Sequence, residues 1–166
     1  MNQIKIYLNE LEQEAQIARK MLAIVPDDSY RWQPHAKSMT ISRLASHVAE
    51  IFGWVSMILK TNELDFATSE MPPQFYNTKE VLTYFEANYA GAKADLETAN
   101  ETELEKPWTM RNGGIIYFTQ TKAEVIRMSF SQIIHHRAQL GVFLRLLNVP
   151  IPGSYGPSAD EMEMAF

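Results

Sequence analysis

The chain contains no cysteine among its 166 residues. Disulfides, thiolate nucleophiles and thiolate-held metals are therefore excluded. A metal must be held by nitrogen and oxygen, and thiol chemistry must use a thiol carried in by a substrate. Positive charge is also short, with 15 Lys and Arg against 20 Asp and Glu and a net charge of −5. No basic run or face is available to displace counterions from a phosphate backbone, so nucleic acid is not an expected partner. Nothing approaches the ~20 apolar residues of a membrane span. The opening Met1-Asn2-Gln3-Ile4-Lys5-Ile6 lacks a basic-then-apolar signal pattern. The expected location is the cytoplasm, with no membrane partner. No phosphate-cradling glycine loop, dinucleotide fingerprint or Ser/His/Asp arrangement is visible.

The composition, 46% hydrophobic and 21% charged, is that of a single globular domain over 1–166 with a continuous core. Apolar residues recur at helical spacing in four segments. The first carries Ile4, Leu8, Leu11, Ala15, Ala18, Leu22 and Val25 and is ended by Pro26. The second opens near Ser38 or Thr40 and holds Leu44, Val48, Ile51, Val55 and Ile58. The third starts at Asn77, with Glu80 three residues on as a capping-box partner, and continues through Leu82, Phe85, Tyr89, Ala92 and Leu96. The fourth opens on a clearer box, Thr121 with Glu124, and runs by Ile126, Ile133, Leu140 and Leu144 to a stop before Pro150. This pattern predicts an all-α protein built as a four-helix bundle. The links 27–37 and 61–76 then serve as crossovers or partly ordered loops.

One stretch leaves the helical period. Trp108 to Arg111 and Ile115 to Phe118 are β-rich runs around Asn112-Gly113-Gly114, which predicts a small hairpin between the third and fourth helices. The tail from Pro150, rich in turn residues, is expected to lie on the bundle or fray.

Polar side chains on the apolar stripes carry the functional signal. Only four histidines occur: His35, His47, His135 and His136. At 100° per residue, His136 falls within roughly 40° of the fourth helix's inward direction, whereas His135 points well over a quarter-turn away. Gln132 lies one turn before His136, so their heads can converge. His47 lies at the edge of the second helix's stripe, with Arg43 one turn before it and Glu50 three residues after. Two facing helices could join His47, Gln132 and His136 as donors N, O and N around an ion. A buried His and Gln that satisfy each other by hydrogen bonding are the plainer alternative.

The sequence resembles the DinB/YfiT-like superfamily of metal-dependent proteins. The matching residues are Trp32, Pro34, Lys37-Ser38, Ile41, Leu44 and His47 near the second helix, then His135-His136-Arg137, Gln139 and Leu140. Val149-Pro150, Pro152 and Tyr155-Gly156-Pro157-Ser158-Ala159-Asp160 complete the pattern over nearly the whole chain. The resemblance implies an antiparallel four-helix bundle, a homodimer, and a divalent ion, nickel or zinc, held by His47 and an HxxxH pair ending at His136. The first histidine of that pair falls on position 132, where this chain has Gln132. An amide oxygen is a weaker, harder donor than imidazole for these ions. Four outcomes stand open: lower affinity, a harder ion, recruitment of Glu50, or loss of the metal.

The resemblance further implies a metal-dependent enzyme on a small-molecule substrate, of thiol S-transferase or hydrolase type, using a low-molecular-weight thiol in the former case. The ion would lower the pKa of a water or thiol and polarise the electrophile; Glu50 is the candidate base. The alternative is a non-catalytic homodimer or small-molecule binder that has lost its metal. Other polar residues receive structural roles. His35 is placed in an exposed loop, His135 in helix packing, and Arg43 in solvent. Arg137 is read as a surface or tail-anchoring charge, Asp160 as its partner, and Tyr155 as a cover over the site. Trp54 and Trp108 are read as core or rim aromatics.

Overall fold

The computed structural model describes residues 2–163. Its long helices are α1 (Gln3–Ala23), α2 (Ile41–Lys60), α3 (Thr78–Thr98) and α5 (Lys122–Leu146). Two short helices, α4 (Glu101–Leu104) and α6 (Ala159–Glu163), and three strands, β1 (Glu63–Asp65), β2 (Pro107–Asn112) and β3 (Ile115–Thr121), complete the described residues, with one 3-10 turn at Asp27–Ser29. The protein is mostly helical, as expected, and the expected hairpin is joined by a further strand into a small three-stranded sheet.

Local chemistry explains where the helices begin. Asn2, Thr40 and Asn77 each accept a backbone N–H of the first turn of α1, α2 and α3. At α5, Thr121 and Glu124 form the complete reciprocal box, and β3 runs into the helix without a linker. The first helix ends at Ala23, two residues before Val25 and three before Pro26.

The second helix packs on α3 and α5, and α1 packs on the same two, while α1 and α2 scarcely meet. The core between them is fully buried at Leu11, Leu22, Leu44, Val48, Phe52, Phe85, Ile126, Phe130, Ile133 and Leu144. Gly53 permits the close approach of α3 to α2. A Cβ there would stand 2.8 Å from Asn88 Oδ1, and the Asn88 amide donates to the Ala49 carbonyl across the same contact.

The strands order β1-β2-β3. The hairpin closes through Gly113-Gly114, with Asn112 opposite Ile115 and Gly113 at φ +56°, and a register shift falls between Met110 and Arg111. The unforeseen strand is β1, inside the 61–76 link. It pairs in parallel with β2, Leu64 opposite Met110. Trp108 is fully buried and donates from its indole to Thr61 Oγ1, which ties the sheet to the end of α2. No helix among the described residues is long and apolar enough to cross a membrane.

Candidate metal centre and adjoining cavity

Residues 47 and 136 lie far apart in sequence, yet their ring centroids are 4.6 Å apart at a steep interplanar angle of 71°. Helix α2 brings one ring and α5 the other. His47 Nδ1 is 2.8 Å from Glu50 Oε2, and the Trp54 indole donates to Glu50 Oε1 at 3.3 Å. A carboxylate can only accept, so a proton belongs on His47 Nδ1, and in the neutral ring the lone pair falls on Nε2. His136 Nδ1 likewise lies 3.0 Å from Gln139 Oε1, which assigns it the same tautomer. Among the described residues no hydrogen bond takes up either Nε2.

The surroundings favour the neutral form of His136. The His47 and Glu50 side chains are only 12% and 19% exposed. Burial, and then the neighbouring His47, push the His136 pKa below the ordinary histidine value. The Gln139 hydrogen bond works the other way, and His135 and Arg43 add smaller depressions. A neutral imidazole with its Nδ1 proton held by an outer acceptor is the form that ligates a metal ion.

The third expected donor fits less well. Gln132 sits half-buried one turn before His136 on α5, and its amide makes no hydrogen bond to a described residue. Glu50 uses its two oxygens on His47 and Trp54. Among the described residues no group of three or more His, Asp or Glu side chains is arranged to hold a metal ion. The residues present therefore offer two oriented imidazoles and one unengaged amide.

A cavity of about 700 Å³ opens beside His47. Arg43, His47, Glu50, Trp54 and Met57 of α2 form one wall, Tyr84 and Asn88 of α3 another, and Leu64, Phe66 and the 69–72 loop a cover. Trp54 stands edge-on to the His47 ring at 5.8 Å. It is thus both rim aromatic and part of the hydrogen-bonded chain to His47. Its spacing of four residues from Glu50, one helical turn, was the available signal. The covering loop carried no such signal.

Other residues meet expectation in part, His35 in its exposure and Asp160 in anchoring the tail. His35 is exposed, its Nδ1 accepting the Lys37 backbone N–H. His135 is exposed and touches only the edge of His136, at 4.9 Å between centroids. Arg137 is not a surface charge: it is 2% exposed and pairs with the buried Glu14 of α1. Tyr155 does not cover the histidines. Its hydroxyl donates to Glu14 at 2.7 Å and accepts from Arg137 at 2.9 Å. Asp160 anchors the tail as expected, but on Arg145 and the Ile151 N–H rather than on Arg137. The cue for Arg137 was its core position between Ile133 and Leu140, matched by Glu14 between Leu11 and Ala18.

Helices that present paired imidazoles beside a covered cavity define a class of small helical proteins with a candidate metal centre. Within that class the chain belongs to the DinB family, whose model matches residues 1–165. It is 23% identical over 155 residues to the uncharacterised protein YrdA of Bacillus subtilis strain 168, covering 93% of this chain and 89% of that one. The fold is similar to that of the DinB-like protein YjoA of Bacillus subtilis, with a TM-score of 0.70 and 17% identity over 92% of this chain and 98% of the other. A DinB-like protein of Bacillus cereus ATCC 10987 gives a TM-score of 0.68 and 16% identity, covering 90% and 95%.

Proposed function

We propose that this DinB-family chain is an antiparallel four-helix bundle in which His47, Gln132 and His136 bind a divalent ion, zinc or nickel, for chemistry on a small molecule in the adjoining cavity. The observation that carries this reading is the pairing of His47 with His136. Two imidazoles from separate helices meet with each Nδ1 engaged and, among the described residues, no hydrogen bond at either Nε2. Gln132 supplies the third, weaker donor. What an ion contributes at such a place is Lewis acidity toward a water, a thiol or an electrophile. Thiol transfer and hydrolysis are the corresponding reaction classes, and a chain without cysteine must draw a low-molecular-weight thiol from solution for the first.

Glu50 is a positioning residue in this scheme rather than a base, because its two oxygens fix the His47 tautomer and the Trp54 indole. A cytoplasmic homodimer is the proposed assembly. The test is elemental analysis of untagged protein purified without added metal, followed by zinc titration against a competing chelator. Near-stoichiometric ion is expected in the parent, with uptake sharply reduced in His47→Ala and His136→Ala. A parent that takes up no ion under saturating zinc or nickel overturns the reading.

A second reading, a bundle that has given up its metal and serves as a homodimer or small-molecule binder, is favoured by Gln132 and by the lack of a three-member His, Asp and Glu group among the described residues. Its mark is a metal-free protein whose His47→Ala variant melts with the parent.

A further inference from the structure

Arginine pairing separates one position from the rest. Arg19, Arg111, Arg127, Arg137 and Arg145 each meet a carboxylate, and Arg31 lies over the Tyr76 ring. Arg43, among the described residues, meets neither a carboxylate nor a ring. It is half-buried on the cavity wall, one helical turn before His47. In a chain whose acidic residues outnumber its basic ones, an unmatched guanidinium facing enclosed space calls for an anionic partner from outside.

The rest of the cavity says what that partner looks like. Trp54, Met57, Leu64 and Phe66 form an apolar surface beyond Arg43, suited to an aliphatic or aromatic body. Two carboxylates share the walls. Glu50 is engaged with His47 and Trp54, and Glu70 sits on the exposed covering loop. Both disfavour a second negative charge on the ligand. We infer that the cavity binds a small monoanionic carboxylic acid, its head on the Arg43 guanidinium and its apolar body against Trp54 and Phe66. This names the substrate class of the cavity proposed above and rests on that assignment of the cavity, but not on the metal.

The experiment is isothermal titration of chelator-treated, full-length protein with two probes of equal shape, 4-phenylbutyrate and the neutral 4-phenylbutanol. The acid is expected to bind at least about tenfold more tightly than the alcohol, the scale of a charge-assisted hydrogen bond. Arg43→Gln removes that preference while leaving alcohol binding in place, and Arg43→Lys restores part of it. Among the described residues the side chain has no hydrogen bond or ion pair to lose, so the Gln variant is expected to melt within a few degrees of the parent. Equal affinity for the two probes, no binding of either, or an undiminished preference in Arg43→Gln each overturns the inference. Because the titration is run without metal, a chain that fails to bind zinc yet prefers the acid retains this conclusion and loses only the metal one.

Discussion

Two adjacent residues of α5, His136 and Arg137, face different helices and end in opposite situations. Arg137 turns to α1, where Glu14 and the Tyr155 hydroxyl close a polar cluster on itself; Arg137 and Glu14 are almost wholly excluded from water. His136 turns to α2, meets His47, and leaves an imidazole nitrogen without a hydrogen bond among the described residues. A cluster whose opposite charges and hydroxyl are paired with one another serves first to hold a fold together. The histidine end is incomplete in the way a binding site must be.

The contrast can be broken most strongly from the closed side. Arg137→Met strands the Glu14 carboxylate in the core, and removing one member of a buried pair costs about 3–5 kcal/mol. For a chain of this size the melting temperature is expected to fall on the order of 10 °C, read by calorimetry. His136→Ala, by comparison, is expected to move it by only a few degrees. If the two variants lose stability equally, the division between a structural and a functional end is wrong.

From the open side the sharper probe is Gln132→His, which replaces the amide oxygen with a third imidazole. Zinc affinity in competition with a chelator is expected to rise by at least about tenfold, since even outer-sphere partners of ligands act on that scale. An unchanged affinity means that position 132 does not share the point where His47 and His136 meet.

The smallest effect concerns the tail that carries Tyr155. The Arg145 hydrogen bonds, and then the Ile151 N–H, hold the Asp160 pKa down to about 2 from its ordinary 3.8. A depressed folded value means that the anchor's contribution is complete above about pH 4 and is lost as the pH falls through about 2. Amide exchange of residues 151–160 should therefore quicken across that window. In Asp160→Asn the same segment should already exchange faster near neutrality, with little change in the remainder of the chain.

How much of this was legible in the residues follows from the range of each interaction. The caps at Asn77 and Thr121 and the turn at Gly113-Gly114 are set by residues within three or four positions of the backbone they serve, so sequence alone located them, and it narrowed the start of α2 to Ser38 or Thr40, of which Thr40 is the cap. The meeting of His47 and His136 followed from helical phase together with the family resemblance. Strand β1 escaped because three residues, Glu63-Leu64-Asp65, are too few to show alternation, and its partner β2 lies more than forty residues later. Of the two readings of Arg137, tail anchoring agrees with its bond to Tyr155, while the surface position, the default for a lone charge, fails. Its burial depends on Glu14, 123 positions earlier, and on a tail tyrosine whose arrival no local pattern announces.

The phase of α5 also limits how this protein can vary. The helix starts at a fixed point, locked by the Thr121–Glu124 box to the strand before it. Inserting or deleting one residue between that lock and position 136 would rotate everything downstream by about 100°, withdrawing His136 from His47 and Arg137 from Glu14 together. Exchange of one side chain for another, as an amide stands at 132, alters the donor set without disturbing that alignment, so this stretch of α5 can change its chemistry residue by residue but not its length.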